Sequence, residues 1–420
     1  MFDTFRSILI SIIFSVLSLI CIVLIAATVR RIIHARRYRT LDRYREINRQ
    51  KLKHVLATGT VQQDSSEFTA SSGSLKFQAI EDVLFEFMKA PQYRSAVKEL
   101  FQTLGYVKHY EKKLSSRNII TKATAIDKIG MMNSEVSTDN LIMMLKTKNV
   151  ELISTSIRAL SRIGTKKALI GILEHLPELY QNSLISHKTA ETALRNFGVT
   201  AQPILVEYGK NFPDVRSVSS ILESLSNMPV TEVSTSFAID SLKHPDVEVR
   251  AKALKLLGRA DSHKLKVDYN ILMQYLTDSV WYIRLHAAKA VGNLRFKGAK
   301  NAIGNLLIDP NWQVRNAATI ALIQFKDESL DIFLKALNDK DEYAKQSICE
   351  ELQKSDFVNV LIENLSQDDK DKYDKSREIL KIMHTLNFST PLTEYMHTGK
   401  DEKVKTEIRH IMLIEKEEKK

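Results

Sequence analysis

Cysteine is nearly absent from this 420-residue chain, which has only Cys21 and Cys349. One lies in an apolar N-terminal run and the other far along the chain, so they form neither a metal-ligand spacing nor a disulfide framework. The pattern suits a reducing compartment. Glycine (13) and proline (8) are also scarce, and aromatics make up 7%. That composition favours helices over a sheet-rich fold. Chemistry-bearing motifs are missing too. There is no phosphate-binding glycine loop, dinucleotide fingerprint, nucleophile elbow or Ser-His-Asp motif, and the eleven histidines are scattered. Nothing in the sequence names a reaction, and no cofactor or metal is expected.

A strong charge on the body is also lacking. The formal net charge is +11, but residues 1–53 hold 11 Lys and Arg against 3 Asp and Glu. The remaining residues hold 50 against 47. A body that close to neutral does not suit the roughly 6–10 phosphate contacts of a duplex binder, so nucleic acid is not an expected partner.

What the sequence does have begins with a long apolar run. Ser7 to Val29 carries no charge. As a helix it is long enough for a bilayer core of about 30 Å. No small-x-small cleavage site ends it, so it reads as an uncleaved transmembrane anchor over residues 1–29. Arg30, Arg31, Arg36, Arg37, Arg39 and Arg43 follow, whereas Arg6 alone precedes it, offset by Asp3. That asymmetry places the N-terminus outside and the body in the cytoplasm, at the cell's inner membrane. The same arginines are candidates for anionic headgroups. Ser7, Ser11, Ser15 and Ser18 form one stripe of the helix. They either bond their own i−4 carbonyls or pack against a partner helix, a second copy included.

Residues 30–57 read as a basic, solvated juxtamembrane helix. Residues 58–74 are small, polar and aperiodic, and read as a flexible linker. Two amphipathic stretches within 75–114 read as N-terminal capping helices.

From about residue 115 the chain repeats. Val249-Arg250, Ile283-Arg284 and Val314-Arg315 each follow a turn and precede small and apolar residues at helical spacing. Gly130, Gly164 and Gly198 recur at 34 residues, as do Gly258 and Gly292. Fixed spacing of this kind predicts stacked helix pairs: an all-α solenoid over 115–370, closed by capping helices and a charged tail at 371–420.

The stretch Asp309–Leu322 closely matches Asp-Pro-x-x-x-Val-Arg-x-x-Ala-x-x-Ala-Leu, and His244–Gly258 and Asp278–Gly292 match it well. This resembles the HEAT repeat family in its short bacterial form. The resemblance implies a structural ladder between units, made here by Asp246/Arg250, Asp278/Arg284 and Asp309/Arg315. HEAT-like hydroxylases hold iron through repeated His-Glu pairs, and this chain has no His-Glu dipeptide. A second ladder puts Trp281, Trp312 and Tyr343 at equivalent positions along one edge. They either pack over the inter-helix turns or form a binding rim, since Trp and Tyr dominate hot spots. Lys252, Lys255, His286 and Lys289 would line the concave face beside them.

The reading that follows is a membrane-tethered, non-enzymatic protein-interaction scaffold with a protein partner, a membrane protein among the candidates. Bacterial proteins that look like this one work beside membrane glycosyltransferases of surface-polysaccharide synthesis. The competing readings are a HEAT-like lyase or nucleic-acid-processing enzyme, and an adaptor that binds anionic lipid.

Overall fold

The computed structural model describes the backbone of residues 2–58, 65–212, 214–260 and 270–418, and the side chains of 17–57, 67–212, 214–260 and 270–413. Among these residues there is no β-strand. The fold is an all-α solenoid of HEAT-like helix pairs with one long apolar helix at its N-terminal end. It divides into two units, Met1–His175 and Leu176–Lys420.

The first unit opens with α1 (Phe2–Thr58), 57 residues without a break. Mean hydropathy in its apolar part reaches 1.9, which is long and apolar enough to cross a membrane. The second half of α1 corrects the expectation of a solvated segment. Leu41, Asn48, Leu52, Val55 and Leu56 are buried. Their spacing keeps them on one face, and α1 packs on α2 (Leu75–Met88). Two ion pairs flank that seam: Arg45 with Asp82 at 2.6 Å and Arg49 with Glu86 at 3.0 Å. The dense arginines hid the apolar stripe from a sequence reading.

The linker expectation is corrected as well. Residues 59–64 lie outside the described residues. Ser65–Phe68, however, form a 3-10 turn, and Phe68 is 1% exposed. Lys51 Nζ reaches Glu67 at 2.8 Å, and Lys76 Nζ donates to the carbonyls of Glu67 and Thr69. One buried phenylalanine in a small polar stretch suffices to fasten it to the body.

The capping region holds α2, α3 (Arg94–Thr103) and α4 (Tyr106–Lys113). The second predicted capping helix is two helices, because Gly105 adopts φ +76 and turns the chain between them. Next come α5 (Ile119–Met131), α6 (Thr138–Met144), α7 (Val150–Ile163) and α8 (Lys166–Gln181), which runs across the division between the units. Helices α5 and α7 stack directly.

In the second unit a first layer comprises α9 (His187–Asn196), α11 (Val215–Ser226), α13 (Val247–Leu257), α15 (Trp281–Asn293), α17 (Trp312–Ile323) and α19 (Glu342–Lys354). Each packs on the next of this layer. The partner helices are α10 (Gln202–Asn211), α12 (Glu232–Ser241), α14 (Asn270–Met273), α16 (Lys300–Asn305), α18 (Leu330–Leu337) and α20 (Phe357–Asn364). Helices α14 and α16 are short and end in 3-10 turns. Helices α21 (Lys370–Thr385), α22 (Thr390–Thr398) and α23 (Glu402–Glu418) follow, burying Ile379, Leu380, Met383, Leu392, Ile408 and Ile411.

First-layer helices other than α15, whose cap is Val280, begin where the sequence supplies a side-chain oxygen. Asp214, Asp246, Asn311 and Asp341 each accept a backbone N–H of the first turn. That is the usual remedy for the unpaired donors of a helix start. The layer packs closely because small residues meet. Ala253, Ala287, Ala288, Ala317 and Ala318 are all buried, and a Cβ on Gly292 would lie 2.5 Å from that of Ala321.

Candidate functional site

Counting from the N-caps Asp246, Val280, Asn311 and Asp341 gives a common register for α13, α15, α17 and α19. The third residue after each cap, Val249, Ile283, Val314 and Ala344, is fully buried. The fourth is Arg250, Arg284, Arg315 and Lys345.

The arginines do bind across the turns, and Arg284/Asp278 and Arg315/Asp309 are joined as the family resemblance implied, though through the aspartate carbonyl, whereas the Arg250 guanidinium bonds His244 and Pro245 and not Asp246. Each Nη1 donates to two carbonyls of its own turn: Arg250 to His244 and Pro245, Arg284 to Asp278 and Ser279, Arg315 to Asp309 and Pro310. The carboxylate partner lies one repeat further on. Arg284 grips Asp309 through Nε at 2.6 Å and Nη2 at 2.8 Å. Asp246 is a cap and bonds the N–H groups of Glu248 and Val249. By register it corresponds to Val280 and Asn311, and Asp278 and Asp309 correspond to His244. The alignment of Asp246 with the other two aspartates is therefore shifted by two residues.

The aromatic edge changes in the same way. Trp281 and Trp312 are each the first residue of their helix, 38% and 58% exposed. Tyr343 is the second residue of α19, where the first is Glu342. It is 77% exposed but turned by about 100° around its helix from the tryptophan position. The ladder is two tryptophans in neighbouring repeats, with Tyr343 beside it. Tyr282 stands edge-on to Trp281, ring centroids 5.6 Å apart. The tryptophans are thus partly exposed and not sealed under the turns.

The polar face divides by what its charges already hold. Lys252 Nζ lies 2.8 Å and Lys255 Nζ 2.5 Å from the Glu223 carboxylate of α11. Asn227 Nδ2 donates to the same carboxylate at 3.1 Å. Lys252 also lies 3.6 Å from Glu248, so the two lysines face two carboxylates. Lys289 is exposed and makes no ion pair among the described residues, and His286 is half-buried. Sequence reasoning missed Glu223. Its signal was positional, because it occupies in α11 the ninth place after the cap, as Lys255 and Lys289 do in α13 and α15.

Burial alone would raise the Glu223 carboxyl, but the hydrogen bonds and charges of Lys252 and Lys255 outweigh it and bring it down to about 2. Burial, then Lys289, Lys255 and Lys252, push His286 down to about 4. The folded state holds both groups below their unfolded values, so both stabilise at neutral pH and both contributions fade on acidification. The His286 part should fall away from pH 6.5 towards 4, and the Glu223 part from 4.5 towards 2. Denaturant melts across that range should show two successive losses. Glu328, held down to about 2 by Lys297 and Lys300, titrates in the same range, so Glu223→Gln should shrink the lower loss while keeping the upper, and a lower loss of undiminished size in that variant would refute the assignment.

The arginines after the apolar run form the second candidate surface. Arg30, Arg31, Arg36, Arg37, Arg39 and Arg43 are all exposed. None makes an ion pair among the described residues, whereas Arg45 and Arg49 do. Ser18 is exposed, and the side chains of Ser7, Ser11 and Ser15 lie outside the described residues. Among the described residues no group of three His, Cys, Asp or Glu is placed to hold a metal ion.

Residues 269–353 match the family described as HEAT repeats. No curated protein is significantly similar to the chain in sequence. Among solved structures, an engineered protein is 16% identical, with 84% of this chain and 98% of that chain covered and a TM-score of 0.35. A mutant of Kap121p is 11% identical, covering 87% of this chain and 50% of that one, with a TM-score of 0.45. Kap121p itself is 11% identical, covering 77% and 43%, with a TM-score of 0.41. The chain spans about half the length of these Kap121p chains or less. The matched stretch contains both tryptophans and the Arg284–Asp309 clasp, while α13 with Arg250 lies before it.

Proposed function

We propose that this chain is a membrane-anchored, non-enzymatic scaffold whose HEAT-like solenoid presents the Trp281–Trp312 edge to a protein partner. HEAT repeats and a solenoid fold support protein interaction as the coarse function. The observation that carries the finer reading is two tryptophans left 38% and 58% exposed at the same register position of adjacent helices. Large aromatics on a rigid surface are what interfaces use as anchors. The apolar part of α1 supports the anchor, and the arginines after it support a cytoplasmic body with the N-terminus outside. A partner in the same membrane, such as a glycosyltransferase of polysaccharide synthesis, belongs to this reading. A carboxylate acting as general acid or base on this face would have to be free, and Glu223 is committed to two lysines.

The test places a photo-crosslinker at Gln313, beside Trp312, in full-length protein in cells. A discrete adduct is expected. Trp281→Ala with Trp312→Ala should lower its yield at least about tenfold, the effect of a hot-spot pair worth more than 1.4 kcal/mol, without lowering stability comparably. An adduct of undiminished yield in the double variant would refute the edge as the binding surface.

A further inference from the structure

We infer that the neck of α1 holds an anionic phospholipid headgroup over a notch formed by Ala26 and Ala27. The inference rests on the membrane placement proposed above and goes beyond the scaffold reading. Val23, Ala26, Ala27, Arg30, Arg31 and His34 line one depression on the helix. Their spacing of three and four puts them on one side of a single helix. Helical side chains lean toward the N-terminus, so Arg30 and Arg31 lean back over Ala26 and Ala27. The alanines leave room that larger side chains would fill, and the apolar run continues directly below through Val23.

The charge distribution identifies the occupant. Moving outward along α1 from the body, Arg49 and Arg45 are held by Glu86, Glu46, Asp82 and Asp42. From Arg43 to Arg30 no arginine has a carboxylate partner among the described residues, although six of them stand on fourteen residues of helix. An exposed guanidinium at the end of an apolar span meets phosphate, which it binds in two-pronged fashion. A ligand for this site therefore has an anionic phosphate at the level of Arg30 and Arg31 and an acyl chain that descends past the alanines to Val23. That description fits a bilayer phospholipid with net negative charge and fits neither free phosphate nor an acidic peptide.

The test uses the full chain in phosphatidylcholine nanodiscs containing a minority of phosphatidylglycerol, with spin-labelled versions of each lipid as probes. Labelled phosphatidylglycerol should be immobilised by the protein about fivefold more than labelled phosphatidylcholine, the factor equivalent to about 1 kcal/mol. Arg30→Gln with Arg31→Gln and His34→Gln should bring that ratio close to one. Arg36→Gln with Arg37→Gln and Arg39→Gln should leave most of it. Equal immobilisation of the two lipids in the wild type would overturn the site. So would equal loss in both variants, which would mean a diffuse basic belt, or competition by soluble inorganic phosphate at constant ionic strength. A chain that fails to enter nanodiscs would break the membrane placement, an outcome separate from entry without lipid preference.

Discussion

Arg284→Ala is expected to lower stability by about 3–5 kcal/mol, the usual consequence of removing one partner from a buried ion pair. The side chains of Arg284 and Asp309 are only 15% and 4% exposed. Alanine would leave the Asp309 carboxylate in the turn with the Asn311 N–H as its remaining support. It would also free the carbonyls of Asp278 and Ser279. Arg250→Ala is the internal comparison. Among the described residues Arg250 bonds two turn carbonyls but no carboxylate, so its loss should cost about 1–2 kcal/mol. Adding Asp309→Asn to Arg284→Ala should recover part of the deficit, because the stranded charge is gone. Urea denaturation of the four proteins decides the matter. Equal losses for the two arginine variants would mean that the inter-repeat clasp contributes no more than the turn bonds.

Gly292→Val should cost about 3 kcal/mol or somewhat more. A Cβ on Gly292 would stand 2.5 Å from the Cβ and 2.7 Å from the Cα of Ala321, so α15 and α17 would have to move apart. Overpacking of this kind typically costs about 1–3 kcal/mol, and valine adds two methyl groups to the clash. Gly292→Ala is a milder case. Its gain in helix propensity, about 1 kcal/mol, offsets part of the strain. Gly258 faces Ala290 and Gly130 faces Ala159 in the same manner, with closest approaches of 2.8 and 2.6 Å. The valine variant should unfold at lower denaturant than the alanine variant, with the wild type highest. A valine variant within 1 kcal/mol of wild type would show that the helices are not held at that separation.

The glycine spacing and the Val-Arg pairs made the solenoid legible, because close helix packing and turn binding both demand particular residue types at fixed places. The same periodicity was less reliable within a repeat. The interval shortens from 34 to 31 residues between Arg284 and Arg315, and a further 31 residues reaches Gln346, one place past Lys345, which holds the arginine position of α19 by the cap register. That slip placed Tyr343 in the tryptophan ladder. Asp246 misled for a similar reason, since an aspartate near a turn serves either as a cap or as an arginine partner and only its distance from the cap distinguishes them. Glu223 stayed hidden because its partners come from the next repeat, at the same level of a neighbouring helix. The buried stripe of α1 was masked by arginines, since Leu41, Asn48, Leu52 and Val55 are few among many charges.

That seam between α1 and α2 has a mechanical consequence. A solenoid on a loose string would explore a hemisphere of cytoplasm and accept partners at any height. Mounted on a stiff post, the capping helices of the first unit are limited to pivoting about the post and tilting with it. In the membrane-anchored reading, recognition then becomes a matter of altitude. A protein that docks on the capping helices α2 to α4 has to stand at their height above the bilayer, and any tilt of the apolar span is passed on to them.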